Sequence, residues 1–286
     1  MMISRSAFLT VPIIAYGGVM TMLWGAQDSL IFPFRHETVP VAAVEGWRRE
    51  TVEVNGFGTQ AFLVGEHDET AEGQPVLLFL HGNGVSANIS AQHAAGELAA
   101  RGFRVVVAEY PGYSGNPGAP SEAALLRTGE ALATYVRRNW PDRPLAVVGE
   151  SIGSAPAIHL AATGRADLLV VDSGFTSLTE TTRNHFPWVV GIKNLLSHPM
   201  DNMAAIRSAG GRMPPSLFLT SSHDMVVPVH MGGELSALVP GSLLVRSPLL
   251  THGVLWQDPR MSDVTATWLR ERTAPTATPA SQPSPT

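Results

Sequence analysis

Short apolar runs separated by polar loops recur along most of this chain, and their period switches repeatedly. Val76–Leu80 (VLLFL), Arg104–Tyr110 (RVVVAEY), Leu145–Val148, Leu168–Asp172 (LLVVD), Ser216–Ser221 (SLFLTS) and Ser242–Arg246 (SLLVR) are near-continuous apolar stretches. That is the pattern of strands covered on both faces. Between and after them, Ser86–Arg101, Ser121–Trp140, Ile152–Ala162 and Arg260–Arg272 follow helical spacing, with Ser121 placed to cap one helix and Gly102 to end another. Ahead of all these, Thr51–Asn55 and Thr59–Val64 alternate apolar and polar residues around Asn55-Gly56-Phe57-Gly58, which predicts an antiparallel hairpin. The fold class expected is α/β: a mostly parallel central sheet, an N-terminal antiparallel hairpin and helices on both faces. Right-handed crossovers put the functional loops at the carboxyl ends of the strands. The longest interruption, Gly174 to about Asp201, contains Phe175, Phe186, Trp188 and Val189–Val190 and predicts a small apolar cap.

The two ends differ in kind from this middle. Ala7–Ala26 (AFLTVPIIAYGGVMTMLWGA) carries no charge and has about the length of a membrane-crossing helix. Arg5 before it and Asp28 after it orient such an anchor with the following domain on the non-cytoplasmic side. Two other readings stand beside it. A cleavable signal segment would leave a secreted protein, although Trp24 is large for position −3 of a cut after Ala26. A buried core helix is the third. Residues 27–272 are expected to form one catalytic domain. Residues 273–286 (TAPTATPASQPSPT) have no bulky apolar residue and are expected to be a disordered tail.

Composition narrows the chemistry. A formal charge of −5 leaves no basic footprint for nucleic acid, so no nucleic-acid partner is expected. The absence of cysteine removes disulfides, thiolate metal sites and a thiol nucleophile.

What remains is a hydroxyl nucleophile, and Gly149-Glu150-Ser151-Ile152-Gly153 offers one. The pattern Gly-x-Ser-x-Gly is a modest signal alone, but here an apolar strand runs into it and an Ala-rich helix leaves it. In that setting a sharp strand-to-helix turn projects the serine hydroxyl beyond the sheet, and Cβ atoms at 149 and 153 would collide with the crossing segments. The new helix starts beside the nucleophile, so the Ile152 N–H is a candidate oxyanion donor. His81-Gly82-Asn83-Gly84 follows the strand VLLFL, and the backbone N–H of Asn83 is the second candidate. His81 precedes the serine and is expected to brace that loop.

A serine needs a histidine to take its proton and a carboxylate to orient the histidine, in the chain order Ser, acid, His for an elbow of this kind. His252, in the loop after the strand SLLVR and before the last helix, is where the base belongs. His159 is inside a helix, His185 and His198 are in the cap, and His230 opens a helix too near the acid loop to turn back. Asp224, directly after SLFLTS in Ser222-His223-Asp224-Met225-Val226-Val227-Pro228, is the favoured acid. Asp172, ending LLVVD, competes with it, or else bonds the Ser173–Thr176 backbone. Glu150 is expected to be a local brace.

Taken together, HGNG after an apolar strand, Tyr110-Pro111-Gly112-Tyr113-Ser114-Gly115-Asn116-Pro117-Gly118, Pro120-Ser121-Glu122, GESIGS, DSGFTSL and HDMVVP resemble the α/β-hydrolase superfamily. With the N-terminal apolar segment and Gln27-Asp28-Ser29-Leu30-Ile31-Phe32-Pro33, the chain looks most like its small membrane-anchored serine hydrolases, related to monoacylglycerol lipase and serine aminopeptidase-like enzymes. The resemblance covers roughly residues 27 to 270. It implies the α/β-hydrolase fold, a Ser151–Asp224–His252 triad, oxyanion donors at Asn83 and Ile152, and hydrolysis of an ester, thioester or amide through an acyl-enzyme. It implies no metal and no organic cofactor. One departure is that Val85 follows HGNG, where family loops often read His-Gly-Asn-Ala-Gly.

Three functions are therefore carried forward. The first is a carboxylic-ester hydrolase acting on a small acyl or lipid substrate at a membrane, with Phe175, Phe186 and Trp188 as candidate substrate-binding residues. The second is a peptidase or amidase with the same triad. The third is a non-catalytic, membrane-tethered module on the same fold.

Overall fold

The computed structural model describes residues 5–36, 39–42, 44–65, 73–189 and 191–273, the side chains of residues 5–13, His36 and Lys193 excepted. The tail expected over 273–286 lies outside them after Thr273, as does Val190 of the cap.

Helix α1 (Arg5–Ile31) comes first, followed by the hairpin β1 (Trp47–Val54) and β2 (Gly58–Gly65). The alternating part then runs β3 (Val76–Leu80), α2 (Ala87–Gln92), α3 (Ala94–Ala100), β4 (Arg104–Val107), α4 (Glu122–Asn139), β5 (Leu145–Glu150), α5 (Ser154–Ala162) and β6 (Leu168–Asp172). The cap follows as α6 (Leu178–His185) and α7 (Ile192–Leu195), and the chain finishes with α8 (Asn202–Ser208), β7 (Ser216–Ser221), α9 (His230–Ala237), β8 (Leu243–Ser247) and α10 (Pro259–Thr273). All eight strands join one sheet in the order β1-β2-β4-β3-β5-β6-β7-β8. The hairpin pairs antiparallel, as does β2 with β4, and every later pairing is parallel.

Alternation along each strand sends side chains to opposite faces, and the sheet consequently separates two cores. Leu78, Leu80, Val106, Val147, Leu169 and Val171 pack on one side with Leu132, Ile158 and Leu160 of α4 and α5. Leu77, Phe79, Val105, Val107, Val148 and Val170 face the other side with Leu98 of α3 and Trp268 and Leu269 of α10. Burial on both faces is what the unbroken apolar runs anticipated, except at the edge strand β8, where Leu243 and Leu244 are exposed.

The strand order places the site. From β3 the chain moves one way to β4, and β5 then returns to β3's other side, with Leu80 opposite Gly149 in register. The loops leaving β3 and β5 diverge at this switch point and leave a crevice at the carboxyl edge of the sheet.

Three expectations change. The single helix over Ser86–Arg101 is two, broken at His93 (φ −122°, ψ −100°), with Gly96 folded so closely on the first that a Cβ there would lie 2.5 Å from the Ala91 carbonyl oxygen. The strand Arg104–Tyr110 ends at Val107, and the chain then turns to carry Glu109 and Tyr110 into the loop network described below. The membrane span expected over Ala7–Ala26 is not supported: among the described residues no helix is long and apolar enough to cross a membrane. Part of α1 instead packs on the protein itself. Met20 is buried against Val189 and Ile192, and Gln27 is buried between the helix and the cap.

Candidate active site

Ser151 occupies the corner between β5 and α5 with φ +52°, a left-handed conformation that a residue with a side chain adopts only under constraint from its surroundings. The flanking glycines supply that constraint. A Cβ at Gly149 would lie 2.5 Å from the Gly153 carbonyl oxygen and 2.6 Å from the Ala157 Cβ. A Cβ at Gly153 would run into the Leu80 backbone and come within 2.8 Å of the His81 carbonyl oxygen. Only glycine lets β3, β5 and α5 converge here, and the convergence lifts the serine to the edge of the sheet.

His252 and Asp224, expected to join the serine from loops far along the chain, are in line with it. The His252 Nε2 is 2.9 Å from the Ser151 Oγ, and its Nδ1 is 2.8 Å from the Asp224 Oδ2. An ionised carboxylate only accepts, so Nδ1 carries the proton and Nε2 of the neutral ring presents its lone pair to the hydroxyl. The other carboxylate oxygen, Oδ1, accepts from the Val226 and Val227 N–H groups at 2.8 and 2.7 Å. The acid loop is tied in turn to the cap, because the His185 Nε2 lies 2.7 Å from the Val226 carbonyl oxygen.

Asp172, the competing acid, is elsewhere. It is fully buried, its Oδ1 accepts from the Ser173 hydroxyl at 2.9 Å, and no hydrogen bond reaches its Oδ2. Its expected partner was the following backbone, and the bond is to the Ser173 side chain instead. Glu150 stands opposite Asp172 in the register of β5 and β6. Burial, with the charge of Asp172 second, pushes the Glu150 carboxyl well above the ordinary range. Burial likewise raises Asp172, although the Ser173 hydroxyl and His252 pull it back. Glu150 also packs at Gly82, where a Cβ would come 3.2 Å from its Oε1, so the brace expected of it has a physical counterpart.

The loop after β3 is held by a buried network. The His81 Nδ1 is 2.7 Å from the Gly82 carbonyl oxygen, and its Nε2 is 3.0 Å from the Glu109 Oε1. Glu109 also accepts from the Ala87 and Tyr110 N–H groups, and the Tyr110 hydroxyl donates to the His81 carbonyl. His81 is thus a brace, as its position before the serine suggested. Asn83 donates through its carboxamide to the Ile31 carbonyl (2.9 Å) and accepts at its own carbonyl from the Tyr113 hydroxyl (3.3 Å).

Asn83, Ser151 and Ile152 share the wall of a cavity of about 350 Å³, and Phe175, Phe186 and Trp188 line it as well. Phe175 is buried, whereas Phe186 and Trp188 are about half exposed and meet edge to face with centroids 6.2 Å apart. The remaining lining was not anticipated. Residues of α1, among them Met20, Leu23, Gln27 and Ile31, form one side of the cavity. Their three-to-four-residue spacing and the glutamine that closes the apolar stretch are present in the sequence, but an uncharged stretch of this length fits a bilayer equally well.

Residues 75–190 match the family described as the alpha/beta hydrolase fold. An uncharacterised protein of Mycobacterium tuberculosis is 29% identical over 252 residues, covering 86% of both chains. The lysophosphatidylserine lipase ABHD12 of Rattus norvegicus is 26% identical over 184 residues, covering 59% of this chain and 46% of that protein, so this chain spans less than half the length of that lipase. Among solved structures, an alpha-beta hydrolase from Vibrio vulnificus superposes with a TM-score of 0.68 at 20% identity, covering 86% of this chain and 92% of the other. A Pyrobaculum calidifontis esterase gives 0.63 at 18% identity, covering 96% of this chain and 100% of the other. Sheet order, elbow and these likenesses agree: the chain has the α/β-hydrolase fold.

Proposed function

We propose that this chain is a serine hydrolase that cleaves a carboxylic ester of an acyl or lipid substrate, with Ser151 as nucleophile, His252 as general base and Asp224 as its orienting acid. The observation that carries the reading is the hydrogen-bonded line from the Ser151 Oγ through His252 to Asp224 at the mouth of an apolar cavity.

In this mechanism the Ser151 Oγ attacks the acyl carbon while its proton passes to the His252 Nε2. Asp224 holds the ring in the tautomer that can accept and favours the imidazolium that forms. The charge developing on the acyl oxygen is met by the backbone N–H groups of Ile152, at the start of the turn into α5, and Asn83. With the Asn83 carbonyl and carboxamide engaged by Tyr113 and Ile31, the N–H is the donor it keeps for substrate. His252 returns the proton to the leaving alcohol, and water then cleaves the acyl-enzyme by the same steps in reverse roles.

An acyl or lipid substrate is favoured over a peptide because the cavity wall is mostly aliphatic and aromatic and, among the described residues, presents no charged side chain to a peptide terminus. The lipase and esterase names among the similar proteins point the same way. The test is labelling with a fluorophosphonate alongside turnover of p-nitrophenyl esters and aminoacyl amides. Labelling lost in Ser151→Ala, with ester turnover well above amide turnover, is the expected result. An adduct that survives Ser151→Ala rejects the nucleophile, and preferential amide turnover replaces the ester reading with the peptidase one.

A further inference from the structure

The N-terminal helix has a physical role at the site that its apolar composition alone does not suggest. Its last residue, Ile31, is tied through its carbonyl to the Asn83 carboxamide, beside Ser151. Upstream, the buried Gln27 side chain clasps the cap: its Oε1 accepts from the Ser197 N–H at 2.8 Å and its Nε2 donates toward the Leu195 carbonyl at 3.4 Å. One turn further back from there, Leu23 lines the cavity, and Met20 closes against Val189 and Ile192 in an apolar cluster separate from both main cores.

From Ile31 back to Met20 the helix advances roughly 16 Å at 1.5 Å per residue. An all-anti hydrocarbon chain gains about 1.25 Å per carbon, so this distance matches a chain of roughly a dozen carbons. Along α1 the wall thus runs from beside the reacting atoms to the turn of Val19 and Met20. There Val19 is half exposed, and Met20, a side chain flexible enough to fill the end of an irregular cavity, is buried.

We propose that α1 is the chain-length selector of the acyl cavity, with Met20 as its end stop and Gln27 as the latch that holds it against the cap. This rests on the hydrolase reading above for the identity of the substrate. The helix is accordingly a specificity element of the enzyme, and the cavity is incomplete without it.

The test compares the full-length protein in detergent with Met20→Trp and Met20→Ala across p-nitrophenyl esters from butyrate to palmitate. The wild type is expected to prefer chains near twelve carbons. Met20→Trp, filling the far end, should lower the laurate-to-butyrate ratio of kcat/KM at least tenfold. Met20→Ala, opening it, should raise the palmitate-to-laurate ratio several-fold. The opposite directions guard against a variant that merely unfolds. Calorimetric binding of dodecanoate to Ser151→Ala, with and without Met20→Trp, repeats the comparison without turnover and should show at least tenfold weaker binding in the double variant. If esters are cleaved but neither ratio moves, the selector is rejected and the hydrolase stands. If dodecanoate binding depends on Met20 while no ester is cleaved, the selector stands and the hydrolase reading falls.

Discussion

Asn83 and Ile31 are joined by a 2.9 Å hydrogen bond from a carboxamide to a helix-terminal carbonyl, which fastens the loop after β3 to the end of α1. The bond uses the Asn83 side chain and not its backbone N–H, the proposed oxyanion donor, so one residue couples the cavity wall to the candidate oxyanion site.

Removing that coupling should be measurable separately from chemistry. Asn83→Ala keeps the backbone donor and deletes only the tie. It should cost about 1 kcal/mol, the net worth of one hydrogen bond, which is roughly 2–4 °C in Tm for a chain of this size. Turnover should fall because the loop is less well held. A variant with unchanged melting and kinetics would show that the contact does not organise the site.

The two candidate acids can be told apart by kinetics. Asp224→Asn should reduce kcat on a butyrate ester by on the order of 10³–10⁴-fold, because the amide no longer selects the accepting tautomer of His252. Asp172→Asn should leave most of the turnover, since no hydrogen bond links Asp172 to His252 and its carboxyl pairs with the Ser173 hydroxyl. The reverse ranking of the two variants would return Asp172 to the role of acid.

Glu150 and Asp172 predict a slope of stability with pH. Burial raises Glu150 to about 8, with Asp172's charge adding to it, and raises Asp172 to about 7 against the pull of Ser173 and His252. Unfolded carboxyls titrate near 4, so between about 4 and 8 the folded chain binds more protons and its stability falls as pH rises. The contribution is whole below that window and lost above it. Glu150→Gln removes one of the two groups and should flatten the fall in Tm between pH 5.5 and 9. Parallel curves for variant and wild type would contradict the shared burial of the pair.

The elbow makes a steric prediction. Gly153→Ala puts a methyl group into the Leu80 backbone, which cannot yield without parting β3 from α5. The expected loss is about 3 kcal/mol or more, at the upper end for overpacking, seen as a large drop in the urea midpoint. Near-native stability would mean that the crossing is looser than described. Gly84→Ala makes a useful comparison, since nothing lies within 4 Å of a Cβ there.

The chain's own pattern determined the sheet, the elbow and the order of the site residues. Each of these is local or periodic. A strand buried on both faces must be apolar throughout, as VLLFL and LLVVD are, and a serine on a crossing this close must be flanked by glycines, as Ser151 is by Gly149 and Gly153. What only the tertiary structure decided depends on contacts between distant segments. Asp172 ends β6 and Asp224 lies in the loop after β7, both at carboxyl ends of strands; the sequence favours Asp224, and the loop after β8 brings His252 over it. The N-terminal apolar stretch was ambiguous, because a bilayer and a cap of Val189 and Ile192 ask for the same side chains. Hydrophobicity has no direction. The direction came from the polar ties of Gln27 to Ser197 and of Ile31 to Asn83, which set the helix beside Ser151.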